Sequence, residues 1–485
     1  MPTINEIKKG RLKKLKAIEA AGVLTYPSRT KRTHTCREAL ENFPKLSRSK
    51  REVVLVGRIM TLREHGGLTF LNIKDGTEKI QVMLRKNDLG EKSYQFFLDY
   101  FDMGDFAEIR GALLKTKRGE KTVKASDYKM LAKSLLPLPE KWHGLKDVEE
   151  RYRKRYLDLI FNSEVKEKFK IRSRIVKELR DFLGKEGFLE VETPILQPLY
   201  GGAKAKPFKT HLNALDMELY LRISPELYLK RLLVGGFEKI YEIGKCFRNE
   251  GVDRFHNPDF TMLEFYWAYV DYKEMMKFTE KMFSALVKKL SGGLKIKYEG
   301  KKIDFKAPWP KIEFNQVFKK YAKINLEEIH LKTLKKEARK LGVKAKGGKA
   351  EIADEIYKKY CRPKIWQPTF LIHHPLGAFP LAKQLEKNKA KTANFQLVAG
   401  GMELINAFSE LNNPIEQAER LKEQEKILKG GFEEAQRMDK DYIEALEYGM
   451  PPAAGFGMGI DRLALLLTDS HAAREIILFP TMRKK

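Results

Sequence analysis

Glycine alternates with large apolar residues through Gly455-Phe456-Gly457-Met458-Gly459, and the run passes directly into Ile460-Asp461-Arg462. This reads as a glycine-rich strand entering a helix that carries an arginine in its first turn. Glycine lets a backbone approach a bound molecule closely, which points to a strand lying beside a nucleotide. A second stretch, Phe247-Arg248-Asn249-Glu250 with His256 and Phe260 downstream, offers another arginine, a loop, an imidazole and an aromatic ring. Two arginines this far apart in the chain can hold the two ends of a triphosphate.

The 485 residues are too many for one ordinary core and predict two or three domains. Hydrophobic residues make up 42% and charged residues 33%, the balance of a globular protein in water. No apolar run reaches the roughly 18 residues of a membrane span. The basic stretch Met1 to Lys16 lacks the apolar core of a signal peptide. Cys36, Cys246 and Cys361 are odd in number and far apart. They fit neither a disulfide framework nor a zinc site, and they predict a reducing, cytoplasmic setting. The net charge of +29, concentrated at Lys8 to Lys16, Arg48 to Arg51, Arg151 to Arg155 and Lys332 to Lys349, predicts a polyanionic partner.

Residues 1–51 form a basic extension in which 5–20 reads as an amphipathic helix, with Ile4, Ile7, Leu15 and Ile18 on one side. Between 52 and 136 the pattern becomes five short alternating strands, with a helix near Tyr94 to Tyr100 after the third. That order predicts an all-β OB-fold barrel. In the second strand Thr69, Leu71 and Ile73 face inward and Phe70 outward; in the third, Ile80, Val82 and Leu84 face inward and Gln81 outward. An outward ring beside an amide is suited to stacking on a base and reading its edge. Residues 137–158 read as a linker, stiff at Pro137-Leu138-Pro139 and then basic. Residues 159–485 read as one large α/β region, with hairpin-type pairing favoured by turns such as Gly235-Gly236. The lysine-rich helical segment near 320–360 reads as an insertion rather than as catalytic machinery.

Several carboxylates sit on otherwise apolar elements. Glu226 opens the helix that follows Ser224-Pro225, and Glu264 alternates with Tyr266 on an apolar strand. In the strand from Met402 to Asn412, Asn406, Phe408 and Glu410 share one face. Glu403 points the other way there unless a bulge intervenes. Buried carboxylates are costly without a cation, so a cationic ligand is expected among them.

Together with Gly187-Phe188-Leu189-Glu190-Val191-Glu192-Thr193-Pro194, Gly201-Gly202-Ala203 and Tyr220-Leu221-Arg222-Ile223-Ser224-Pro225-Glu226-Leu227, these segments resemble the lysine-specific branch of the class II aminoacyl-tRNA synthetases. The resemblance spans Glu52 to Met482. It implies a class II catalytic domain on a mainly antiparallel sheet, behind an OB-fold that binds the anticodon. The implied activity is formation of lysyl-adenylate from L-lysine and ATP, then transfer of lysine to tRNA(Lys). Gly202, Glu226, Arg248, Glu264, Tyr266, Asn406, Phe408 and Glu410 would bind lysine. Arg248, Glu250, His256, Asn257, Phe260, Glu403, Gly457 and Arg462 would bind ATP, with Arg248 and Arg462 catalytic. Phe70, Gln81, Arg58 and Asp127 would contact the anticodon, Asp127 standing where a Glu is usual. Magnesium would be held by Glu403 and by Gln396, which replaces a customary Glu. Gly187 to Pro194 would build a homodimer interface, and no membrane is involved. His373-His374 reads as structural. Three rival readings are opposed by particular features: a protein-modifying ligase by the barrel at Glu52 to Leu136, a non-catalytic RNA-binding paralogue by Arg248, Glu403 and Arg462 though Gln396 favours it, and activation of aspartate or asparagine by the acids Glu226 and Glu410.

Overall fold

A computed structural model describes residues 2–139, 147–343, 347–429 and 436–483. It divides into two compact units, Met1–Lys146 and Asp147–Lys485.

In the first unit helix α1 (Ile4–Ala20) starts from a capping box, in which the Thr3 side chain accepts from the Glu6 amide and Glu6 reaches back. Its buried face differs from the expected one: Ile4 is exposed, while Arg11 is buried beside Ile18. Arg11 donates to the carbonyls of Met103, Ser134 and Leu136, which satisfies its guanidinium without a ligand. Strands β1 (Glu52–His65), β2 (Leu68–Lys74) and β3 (Lys79–Arg85), helix α2 (Glu91–Tyr100), then β4 (Phe106–Lys115) and β5 (Lys121–Ala132) follow. The strands close into a barrel in the order β1-β2-β3-β5-β4. Alternation dictates its interior: Thr69, Leu71 and Ile73 of β2 and Ile80, Val82 and Leu84 of β3 are buried.

The second unit takes in residues from Asp147 onward, part of the stretch expected to be a linker; 140–146 lie outside the described residues. The basic segment there is helical, and Arg155 is buried. It pairs with Asp158 at 2.7 Å and donates to the carbonyls of Arg474 and Leu478. Helix α3 (Ser163–Lys185), strand β6 (Leu189–Glu190), helix α4 (Glu226–Val234), strands β7 (Lys239–Phe247) and β8 (Asp259–Ala268) and helix α5 (Tyr272–Ser291) come next. They are followed by β9 (Lys311–Glu313), α6 (Leu331–Lys340), α7 (Lys349–Ile356), β10 (Thr369–Ile372), β11 (Asn394–Ala399), β12 (Met402–Ser409), β13 (Ala453–Gly459) and α8 (Ile460–Leu467). One eight-stranded sheet runs β9-β10-β11-β12-β13-β8-β7-β6. It is antiparallel except at its two edges, where β9 pairs with β10 and β6 with β7 in parallel.

The two faces of this sheet have opposite character. Leu263 and Phe265 of β8, Phe456 and Met458 of β13, Phe395 and Leu397 of β11 and Ile405 and Ala407 of β12 join side chains of α3, α5 and α8 in the main core. Phe265 and Phe456 stack at 4.3 Å between centroids. Most alternate residues of the same strands face a cavity, and among them are the polar, acidic and glycine positions Gln396, Asn406, Glu264, Tyr266, Gly455 and Gly457. The inserted helices α6 and α7 bury a core of their own with Phe314, Phe318 and Tyr357; residues 344–346 of this lysine-rich stretch lie outside the described residues.

Candidate active site

Register assembles the cavity floor from four strands. Gln396, Asn406, Gly457 and Glu264 lie opposite one another across β11, β12, β13 and β8, and Asn394, Phe408, Gly455 and Tyr266 form the next row. All but Asn394 line a cavity of about 710 Å³, together with Gly202, Glu226, Arg248, Glu250, His256, Asn257, Phe260, Glu403 and Arg462. The bulge left open by strand parity exists: Leu397 pairs with Ile405 but Val398 with Glu403, so Glu403 joins the cavity face. Glu410, just past β12, is buried, and its bond from Glu410 N to Ala453 O ties it to β13.

Acids crowd one end. Ser224 Oγ donates to Glu264 at 2.7 Å, and the Tyr266 hydroxyl donates to its other oxygen at 3.3 Å. A Cβ at Gly455 would fall 2.0 Å from Glu410 Oε1 and 2.6 Å from the Tyr266 ring, so only glycine lets Glu410 lie across β13. Gly202, at φ +85°, lies against Ser224 and Glu226, where a Cβ would fall 2.9 Å from each. The chain itself supplies one cation that the sequence reading missed. Lys230, fully buried on α4, donates to Glu226 at 2.6 Å and pairs with Glu410. Two carboxylates therefore share the Lys230 ammonium, while the third, Glu264, is held by hydroxyls alone. Burial and the charge of Glu226 push the Glu264 carboxyl up to about 8. Burial also drives Glu410 well above the carboxylate range, against the pull of Lys230, and Glu410 Oε1 has no hydrogen-bond partner. A cation entering this end would relieve the imbalance.

Cations gather at the other end. Arg248 lies 5.0 Å from the centroid of Phe260, and its buried Nε has no hydrogen-bond partner. Arg462, in the first turn of α8, donates to the Glu403 carbonyl at 2.9 Å and to His256 Nε2 at 3.2 Å. With Nε2 accepting, His256 donates from Nδ1 to Asp253 at 2.8 Å. Asn257 is anchored by its donation to the Asp259 carbonyl at 2.7 Å, and Glu250 sits on the exposed loop at the rim. Gln396 Oε1 and Asn406 Oδ1 are buried and unpartnered, next to one another in a single row. One carboxylate (Glu403) with two free amide oxygens suits a magnesium ion that keeps several waters.

The insertion reaches this site. Asp354 and Glu355 of α7, with Lys358 and Arg362 just beyond it, line the cavity. His374 also lines it; burial lowers its imidazole to about 4, the charge of Asp354 acting against that, and Asn394 Nδ2 lies 2.9 Å from its Nδ1. His373 is held between the Tyr272 hydroxyl at 2.9 Å and Glu313 at 3.1 Å.

On the barrel, Asn72 stands opposite Gln81 and Phe70 opposite Met83, so Phe70 and Gln81 occupy adjacent outward rows. Thr122 donates to Gln81 at 2.7 Å, and Phe70 remains half-buried. The other two anticodon candidates lie outside those rows. Arg58 stacks 4.2 Å over Phe106 and donates to the Gly104 carbonyl, a packing arrangement, while Asp127 stands opposite Arg110 beyond a bulge in the β4–β5 pairing.

Residues 147–483 match the family model described as tRNA synthetases class II (D, K and N), and residues 53–131 match the OB-fold nucleic acid binding domain. Along 99% of its length the chain is 49% identical to the lysine–tRNA ligase of Pelotomaculum thermopropionicum, covering 96% of that protein. It is equally similar, at 49%, to that of Carboxydothermus hydrogenoformans, and 46% identical to that of Chloroflexus aurantiacus, covering 99% of each.

Proposed function

Because the chain belongs to the class II tRNA synthetases of the aspartate, lysine and asparagine group, we propose that it joins L-lysine to tRNA(Lys) at the expense of ATP. The observation that carries lysine over the other two amino acids is the count of charge in the pocket. Three carboxylates, Glu226, Glu264 and Glu410, are buried at this end, and the Lys230 ammonium pairs with two of them, Glu226 and Glu410. An aspartate side chain would add a fourth negative charge there, whereas lysine brings two ammonium groups.

In this reading the ε-ammonium meets Glu410 and Tyr266, and Phe408 packs along the aliphatic stem. The α-ammonium meets the Glu226–Glu264 side, with Gly202 and Asn406 at the remaining polar atoms. Arg248 holds the lysine carboxylate against the α-phosphate, Phe260 stacks on adenine, and His256 and Arg462 grip the outer phosphates. Asn257, Glu250 and Gly457 complete the nucleotide walls. The lysine carboxylate is itself the nucleophile: its oxygen bonds to the α-phosphorus as the bond to pyrophosphate breaks, and no enzyme base is needed. Catalysis is then positioning plus stabilisation of developing phosphate charge. Magnesium on Glu403 and Gln396 would add to that neutralisation when bound. A hydroxyl of the terminal tRNA ribose attacks the adenylate carbonyl in the second step, releasing AMP.

The outward Phe70 and Gln81 support anticodon contact by the barrel. Exposed Leu189, Ile195 and Leu196 beside Gly187 to Pro194 support a homodimer through that segment. Three buried, unpaired cysteines support a reducing cytoplasm, and among the described residues no helix is long and apolar enough to cross a membrane. The test is ATP–pyrophosphate exchange with each of the 20 amino acids in turn. Exchange driven by lysine alone is expected; exchange driven by aspartate or asparagine, or by none, overturns the reading.

A further inference from the structure

Helix α7 does not end regularly. It passes into a π-helical turn, Tyr357–Cys361, and then a short 3₁₀ turn, Arg362–Lys364. Wide turns of this kind redirect side chains and are frequent at functional sites. Here Tyr357 and Cys361 are buried in the core of the insertion, which leaves Lys358 and Arg362 facing the cavity. Lys358 is held by Asp354 at 2.7 Å and Glu355 at 3.4 Å, with its side chain 45% exposed. Arg362 has a buried Nε with no hydrogen-bond partner.

These two cations stand at the phosphate end. The charge of Glu403 acts on Lys358, and that of Arg362 acts on Arg462. Like-charged guanidinium groups brought together in a cleft are unfavourable until an anion lies between them. Across the floor Gln396 and Asn406 are neutral amides, so the acids near these two cations are Glu403 of β12 and Asp354 and Glu355 of α7. Arg254, the basic residue nearest His256 in sequence, is turned away and paired with Glu299.

We propose that Lys358 and Arg362 are phosphate-binding residues that engage the β- and γ-phosphates of ATP and then the departing pyrophosphate, supplying fixed positive charge where Gln396 offers a metal only a neutral oxygen. The proposal rests on the cavity being an ATP site and assigns the insertion a direct part in it. The insertion is thus a wall of the site.

Equilibrium binding to the full-length protein tests it. Calorimetric titrations of ATP, AMP and inorganic pyrophosphate compare the wild type with Lys358→Gln, Arg362→Gln and the double variant at several magnesium concentrations. The double variant should lose tenfold or more in affinity for ATP and pyrophosphate and less than twofold for AMP. It should also need more magnesium to bind ATP half-maximally, while Lys358→Arg retains most of the affinity. Unchanged ATP affinity, or AMP falling as far as ATP, overturns the proposal. If Arg362→Gln fails to fold, Arg362→Lys and the half-exposed Lys358→Gln carry the comparison. Failure of the wild type to bind ATP would instead overturn the reading of the cavity itself.

Discussion

Glu410 and Lys230 show what a single residue hides and reveals. The acids were legible because carboxylates on apolar strands stand out. Lys230 was not, although Glu226 and Lys230 are spaced i, i+4 on one helix, the spacing of a stabilising pair. On an apolar helix that spacing marks a buried pair, and Lys230 places a cation against Glu226 and Glu410 before any ligand arrives. Glu410→Gln should accordingly weaken lysine binding by about 2–4 kcal/mol, since one ammonium loses its charged partner in a desolvated pocket. ATP binding should hardly move; isothermal titration with each ligand checks both. Glu264 adds a pH dependence. Its carboxyl, raised from 4.5 to about 8, is protonated in the empty pocket at neutral pH and must ionise to receive an ammonium. Lysine binding should therefore release a proton at pH 7, and affinity should rise toward pH 8 and then level off. Titrations in two buffers of different ionisation enthalpy would show it. The same raised value means that this group's contribution to the stability of the empty protein is full below pH 4.5 and lost as pH rises through 8. The thermal shift given by lysine should therefore grow over that range.

At the scale of elements, what was legible followed from period. Two-residue alternation fixed the barrel strands and their inward sets, because one face is buried and a slip of one residue would expose it. The glycine-rich strand was equally legible, but its reason is only partly the expected one: Gly455 makes room for Glu410 and Tyr266, while a Cβ at Gly457 would meet nothing closer than 3.6 Å and leaves space for a ligand. Irregular backbone was not legible. The bulge that turns Glu403 into the cavity, and the π-turn that presents Lys358, depend on register and packing between segments distant in sequence. The segment after Asp147 misled for a related reason: Arg155 looks like part of a solvated basic run until carbonyls from the far end of the chain surround it. Phe70 remains the sharpest test of the barrel face. Phe70→Ala should leave lysine-dependent exchange intact and slow tRNA charging, since stacking on a base is worth about 1–3 kcal/mol. Equal losses in both assays would make it a packing residue.

The whole molecule carries +29 while its amino-acid pocket is acidic, and these opposite fields serve different ligands. Length and composition predicted separate domains and a polyanionic partner, but not which surfaces meet it, because lysines on a solvated face look alike in sequence. The two steps of the reaction should nevertheless separate by their response to salt. In the proposed sites lysine and ATP would lie inside a cavity lined largely by buried or half-buried groups, where mobile ions screen weakly. A tRNA must displace counterions from every phosphate that a surface lysine or arginine neutralises, so its binding falls as a power of salt concentration. Raising monovalent salt from about 50 to 200 mM should lower kcat/KM for tRNA charging by on the order of tenfold to a hundredfold, for some three to five neutralised phosphates. Lysine-dependent ATP–pyrophosphate exchange should change by no more than about twofold over the same range. A logarithmic plot of each rate constant against salt makes the comparison. Parallel slopes would mean that the excess positive charge is not what captures the tRNA, and would place the salt-sensitive step inside the catalytic cavity.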